Sequence, residues 1–342
     1  MKVLIIGGTG LISTAIARGL LERGNDVTLY HRSVTDAQVL GGLKAIGGDR
    51  TNYPVFEAQM AEAGSFDCVI DMVGYLPEDA QSIAHAFKGR IGQLIFCSTV
   101  DVYRKPANRY PIREDEERRA APSFPYALNK VKCEAILFEA HQRGDFPVTV
   151  IRPAYTYSEG RGPIHSFGGS TVYLDRMRKG KPIVVHGDGN SLWAACHRDD
   201  VGRAFVEAAG NPKTFGKAYH VTGEEWMTWN RYHQGVAEAM GTPSPTLVHI
   251  PTDLLAKVAP KRAWICAENF QFNNIFDNSA AKTDLGFRYT IPWVEGVRRM
   301  VAWLDEHGRI ENSDDDPFDD RLIAAWERLG TAMAQELADL HA

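Results

Sequence analysis

No stretch of the 342-residue chain approaches the ~18 consecutive apolar residues of a membrane-spanning helix. Met1-Lys2 leads at once into a short strand-like run ending in glycines, too brief for the core of a signal peptide. An excess of positive charge is also missing. With 38 basic and 43 acidic side chains the net charge is −5, so no positive field draws the protein onto nucleic acid or anionic lipid. These absences predict a cytoplasmic protein with neither nucleic acid nor membrane as partner. The cysteines (Cys68, Cys97, Cys133, Cys196, Cys266) include no Cys-x-x-Cys pair, which argues against zinc and dithiol chemistry and predicts buried, reduced thiols. Nor does any His-x-x-x-His or mixed carboxylate spacing surround His165, His186, His197 or His220, so no metal site is expected.

What the chain does have is alternation. Strand-like runs at Val3–Ile6, Val27–Tyr30, Cys68–Ile70, Gln93–Cys97 and Val148–Ile151 are separated by amphipathic segments. The first of these, Leu11–Arg23, carries Ile12, Ile16 and Leu20 on one face and stops at Gly24, where a helix-ending glycine belongs. The pattern predicts an α/β fold: a doubly wound parallel sheet with helices on both faces and a smaller C-terminal substrate lobe. The expected core spans residues 1–160 and is rejoined by about 190–222. Residues 161–189 and 223–310 form the lobe, and 311–342 an acidic loop and a last helix. That helix, Arg321–Ala342, bears Leu322, Ala325, Trp326, Leu329, Met333 and Leu337 on one stripe, suited to docking on the body or on a second subunit of a homodimer.

Between the first strand and first helix lies GGTGLIS, Gly7 to Ser13. Gly7 and Gly10 let backbone approach a pyrophosphate while the N–H groups of the following helix face it. The third small position, often glycine, is Ser13, small enough for close helix-on-strand packing. The second strand lacks the terminal acid that grips the ribose hydroxyls of NAD; Tyr30-His31-Arg32-Ser33 stands there instead. No carboxylate there repels a 2′-phosphate and Arg32 is able to pair with one, so the expected cofactor is NAD(P), with NADP favoured over NAD. Asp49, in GGDRTN, is either a partner for an adenine nitrogen or a plain turn residue.

The segment PYALNKVKCEAILFEA predicts a helix with Tyr126 and Lys130 on one face. It follows QLIFCSTVDVY, whose end places Ser98 and Thr99 at the edge where open parallel sheets bind ligands. A nearby ammonium and a positive nicotinamide favour the phenolate of a group whose ordinary pKa is about 10. Tyr126 is therefore expected to take a hydroxyl proton while hydride leaves the same carbon, Thr99 holding that oxygen and Lys130 gripping the ribose. The REDEERR run, Arg113–Arg119, reads as solvated surface. Trp193, Trp226 and Trp229 read either as an aromatic wall for substrate or as core.

With GGTGLIS, STVDVY and Tyr126-x-x-x-Lys130 in this order, the sequence resembles the extended short-chain dehydrogenase/reductase superfamily, in its NAD-dependent epimerase/dehydratase group. Arg152-Pro153 and the HGDGNSLWAACHRDDVGRAF segment are similar to that group's later regions. In detail the chain is similar to bacterial epimerase-like proteins that themselves resemble plant chloroplast stem-loop RNA-binding proteins. The resemblance implies a Rossmann fold and a catalytic set of Thr99, Tyr126 and Lys130. It adds Gly7, Thr9, Gly10, Leu11, Ile12, Val73, Lys130 and Pro153 to Arg32 and Asp49 as cofactor contacts. It also implies chemistry at a secondary alcohol or ketone carbon of a sugar or sugar-like small molecule.

Two departures narrow the substrate. Val100-Asp101 replaces the Asp-Glu that follows the catalytic threonine in sugar-nucleotide 4,6-dehydratases, which argues against that dehydration and leaves Asp101 as an acid near the site. Trp193 falls where relatives acting on nucleotide sugars place an arginine for the diphosphate, and suits stacking on a sugar; Arg161, Arg176 or Arg178 would then have to compensate. Ser98 and His165, the latter in the RGPIHSFGG loop, complete the expected substrate contacts. Net epimerisation heads the functions implied. A carbonyl reductase or dehydrogenase with net redox is the first alternative, and an RNA-binding protein on the same scaffold the second.

Overall fold

In the computed structural model, residues 1–32 and 43–341 are described; Ser33 and Ala342 lie outside them. The strands, in chain order, are β1 (Lys2–Ile6), β2 (Asp26–His31), β3 (Lys44–Gly47), β4 (Cys68–Asp71), β5 (Leu94–Cys97), β6 (Val148–Pro153), β7 (Tyr155–Tyr157), β8 (Ile183–His186), β9 (Leu192–Trp193), β10 (Ala195–His197) and β11 (Lys217–Val221). Seven of them form one sheet in the order β11-β6-β5-β4-β1-β2-β3, and every pairing in it is parallel.

β1 is apolar along its length because both faces are covered. Val3 and Ile5 enter the core on one side, Leu4 and Ile6 the core on the other, as the two-residue period of a strand dictates. Strand order reverses around β1, which lies between β4 and β2. Such a switch point leaves a crevice at the carboxyl ends of the strands. The helix that follows β1, Leu11–Glu22, ends with Gly24 at a φ of +71°, the left-handed turn that favours glycine. It lies against the Arg198–Ala208 helix, where a Cβ on Gly202 would come 2.7 Å from that of Ala15.

The chain divides into two compact units: Met1–Tyr157, Ala194–Glu225 and Ile275–Ile291 in the first, and Ser158–Trp193, Trp226–Asn274 and Pro292–Ala342 in the second. Residues 275–291, placed in the lobe by the sequence pattern, cluster with the sheet. In the second unit β8 pairs with β13 (Leu247–Ile250) and β9 with β12 (Met227–Thr228). The helix Phe318–Glu336 uses only part of its stripe: Leu322, Ile323 and Trp326 pack into a local core, while Leu329, Met333 and Leu337 are exposed. All five cysteines are free and buried. Among the described residues no helix is long and apolar enough to cross a membrane, and no cluster of ligating side chains could hold a metal ion.

Candidate functional site

A cavity of about 510 Å³ lies at the glycine turn. Six of the residues expected to touch cofactor line it: Gly7, Thr9, Gly10, Arg32, Asp49 and Val73. Gly7 has a φ of +87°, and a Cβ there would sit 2.3 Å from a methyl of Val73, so this position accepts only glycine. Gly10 differs. The nearest atom to a Cβ there is the Ser13 hydroxyl at 3.1 Å, a tight contact that a shift of a few tenths of an ångström would relieve. Ser13 does more than pack. Its hydroxyl donates to the Gly7 carbonyl and accepts from the Gly10 N–H, both at 2.8 Å, tying the two ends of the turn together. One donor of the cradle is thereby used internally, leaving the N–H groups of Leu11 and Ile12, in the first turn of the helix, with no intrahelical acceptor. Leu11, Ile12, Lys130 and Pro153 are not among the residues lining the cavity; Pro153 is a buried sheet residue in register with Val221.

The carboxylates around this cavity are already engaged. Asp49 is exposed, and its Oδ1 accepts from both the N–H and the hydroxyl of Thr51. Those bonds, with a smaller contribution from the charge of Arg32, hold it below the ordinary aspartate value. Asp79 caps the Pro77–Phe87 helix, its Oδ2 accepting from the N–H groups of Tyr75 and Leu76 at 2.9 Å. Arg50, absent from the sequence-derived set, also lines the cavity. It is buried, lies 4.1 Å from the ring centre of Phe56 and donates to the Asp79 carbonyl. Its only sequence signal is its place beside Asp49.

Tyr126 and Lys130 lie one turn apart on the helix Pro125–Gln142. The Thr99 hydroxyl lies close enough to Tyr126 to favour its phenolate, so two of the expected catalytic groups do meet. The expected lowering of the phenol invoked the charge of a bound nicotinamide; among the protein's own groups the shift is upward. Although the residue is 38% exposed, burial of the hydroxyl end pushes the phenol upward, and the Thr99 hydroxyl opposes this only in part. Two of the three N–H groups of the Lys130 ammonium donate elsewhere, to the carbonyls of Cys97 at 2.6 Å and Gly74 at 2.8 Å. It lies 5.9 Å from the centre of the Tyr126 ring. Thr99 Oγ1 also accepts from the Asp101 N–H at 3.1 Å and donates to its carboxylate at 3.2 Å. Asp101 is in turn paired with Lys105.

Three expected substrate contacts are placed otherwise. Ser98 is buried and donates to the buried carboxylate of Glu134 at 2.6 Å. His165 is buried and stacked on Tyr173, with ring centres 4.7 Å apart, and burial lowers it to about 3. Trp193 is core: 5% exposed, it packs between Trp229 at 5.1 Å and Phe270 at 5.0 Å. Of the arginines offered as compensation, Arg176 is buried and bonded to the Pro182 carbonyl and Asp320, and Arg178 is held by Asp305. Arg161 is exposed, as is Arg178. The REDEERR run is likewise not all surface, since Glu116 is buried and Arg118 reaches the buried Glu134.

Residues 3–222 match the NAD dependent epimerase/dehydratase family. The chain belongs to that family, the extended short-chain dehydrogenase/reductases with a Rossmann sheet, and is an enzyme of NAD-dependent oxidoreductase type. It is 27% identical over 337 residues to the chloroplast stem-loop binding protein of 41 kDa b of Arabidopsis thaliana, covering 94% of this chain and 84% of that protein. It is 24% identical to the 2′-dehydrokanamycin reductase of Streptomyces kanamyceticus, covering 92% of this chain and 87% of that one. Among solved structures, a UDP-glucose-4-epimerase from Stenotrophomonas maltophila with bound NAD superposes with a TM-score of 0.73, at 18% identity over 91% of this chain and all of the other. That likeness is one of fold.

Proposed function

We propose that the protein transfers hydride at a secondary alcohol or ketone carbon of a sugar or sugar-like substrate, with Tyr126 as the proton-exchanging group. The observation that carries this is the meeting of Tyr126 with Thr99, the Tyr126 ring lying 6.4 Å from that of Tyr75, which lines the glycine-turn cavity. A dinucleotide fits that cavity. The bare side of Gly10 gives it backbone access, the first-turn N–H groups give an anion donors, and Arg32 lines the same cavity. When bound, the nicotinamide supplies the hydride chemistry. The chain's own residues hold the substrate oxygen at Thr99 and exchange its proton at the Tyr126 hydroxyl. Burial keeps that phenol protonated, the state that donates a proton to a ketone oxygen. The likeness to a reductase favours a net carbonyl reduction as the second form of the same activity beside epimerisation.

We read the cofactor as NADP in preference to NAD. Arg32 lines the cavity and can pair with a 2′-phosphate, while Asp49, ionised beside it, is held by Thr51 through one oxygen. Arg32→Ala should weaken NADPH binding about tenfold, the scale of one lost charge-assisted bond, and leave NADH binding within a factor of about two. Titration of the fluorescence of both nucleotides with the parent and the variant reads this directly. An unchanged ratio would sink the preference.

The two glycines separate fold from ligand. Gly7→Ala, strained by its positive φ and by Val73, should lose about 1–3 kcal/mol of stability. Gly10→Ala should melt close to the parent yet bind nucleotide at least about tenfold more weakly, since the added methyl occupies space meant for phosphate. Thermal melts and nucleotide titrations on the same samples test the pair.

A further inference from the structure

Three consecutive residues leaving β5 each meet the one helix that carries Tyr126. The Cys97 carbonyl accepts from Lys130 Nζ at 2.6 Å, the Ser98 hydroxyl donates to Glu134 Oε1 at 2.6 Å, and the Thr99 hydroxyl lies within reach of the Tyr126 phenol. Tyr126, Lys130 and Glu134 lie at four-residue intervals on that helix, so the three contacts run along one of its faces. Two of the rungs belong to the expected catalytic set. The middle one does not, and it is the best anchored.

Glu134 is wholly buried. Burial alone would raise it, but Arg152 facing it, with Ser98 and Arg118, holds it below the ordinary glutamate value. Arg152 is itself buried and bidentate, Nε on Oε1 at 2.9 Å and Nη2 on Oε2 at 2.6 Å. Its Nη1 donates to the Tyr103 hydroxyl at 2.5 Å, and that hydroxyl meets His220 Nε2 at 2.6 Å. Burial lowers His220 to about 3, so it enters the network as a neutral ring. A carboxylate fixed at both oxygens by a planar fork cannot drift without breaking charge-assisted bonds in a low-dielectric interior.

We infer that Ser98 is a positioning residue: through Glu134 and Arg152 it fixes the exit of β5 so that Thr99 stays in hydrogen-bond register with Tyr126. The inference rests on the function proposed above for its consequence in turnover, but the register itself is measurable without a substrate. A substrate role for Ser98 is replaced by a role that acts through its neighbour.

The test labels all tyrosines with ¹³C at Cζ and assigns the Tyr126 line by its loss in Tyr126→Phe. Thr99→Ala, which deletes the Thr99 hydroxyl directly, sets the reference displacement of that line. Ser98→Ala, and the volume-matched Ser98→Cys whose thiol is a weak donor, should reproduce at least half of that displacement. The lines of tyrosines remote from the network, such as Tyr232, should stay in place, and NADPH affinity should change by less than about twofold. With any sugar substrate found to turn over, Ser98→Ala should lower kcat about tenfold with KM nearly unchanged. If Thr99→Ala moves the Tyr126 line and both Ser98 variants leave it at the parent position, the positioning role is overturned. If none of the three moves it, the ladder does not exist. A failure of turnover with the displacement intact would instead count against the proposed function alone.

Discussion

Tyr126→Phe should abolish turnover by about 10²–10⁴-fold, the range for loss of a positioned general acid or base, while binding NADPH as the parent does. The hydroxyl is the only part removed, and the ring remains among Tyr75 and Phe124, whose ring centres lie 6.4 Å and 6.1 Å away. The raised phenol pKa adds a directional signature. Its acid form persists through neutral and mildly alkaline pH, so ketone reduction should be nearly flat from about pH 6 to 9, whereas alcohol oxidation should climb up to about tenfold per pH unit as the small phenolate fraction grows. Reduction and oxidation rates across that range, in the parent and in Tyr126→Phe, check both statements. Unimpaired turnover in the variant contradicts the assignment of Tyr126.

Acid should unfold the protein well before its carboxylates are all protonated. Four buried histidines are held neutral by burial: His165, His220 and His233 at about 3 and His186 at about 4. Their folded values lie below the unfolded value of about 6.5, so the stability they reflect is complete above that pH and is lost as pH falls towards the folded values. By pH 5 each should have cost the native state about 2 kcal/mol, and the four together about 8 kcal/mol, comparable with the whole stability of a domain. Asp71, Glu114 and Asp319, raised by burial, act in the opposite direction and reduce this total. Neither ring nitrogen of His233 has a hydrogen-bond partner, so His233→Leu should move the acid midpoint downward by a few tenths of a pH unit. Circular dichroism against pH measures the midpoint. A parent protein folded at pH 4 with undiminished cooperativity would rule the account out.

The sheet was legible because its central strands are buried on both faces and therefore read as unbroken apolar runs flanked by glycines. β3 was not: Lys44–Gly47 is a half-exposed edge strand with no run long enough to stand out. The cofactor end of the site was legible for a similarly local reason, since a glycine turn is set by backbone conformation that the sequence encodes within seven residues. Substrate contacts depend on which way side chains turn in tertiary packing. Ser98 sits at the expected sheet edge yet turns to Glu134, thirty-six residues away in sequence, and Trp193, readable as substrate wall or as core, is made core by Trp229 and Phe270. Lys130 marks the same limit: its helical spacing from Tyr126 was readable, but the two carbonyls that draw its ammonium away were not. Ser13 was read as filler because its size is visible in sequence and its two hydrogen bonds are not.

The most direct measurement is the binding of NADPH and NADH to the purified full chain, followed by nucleotide fluorescence and repeated with Gly10→Ala. The account predicts saturable one-to-one binding, tighter for NADPH, that Gly10→Ala weakens at least about tenfold without lowering the melting temperature. Absence of binding for both nucleotides, or binding indifferent to Gly10→Ala, would contradict it.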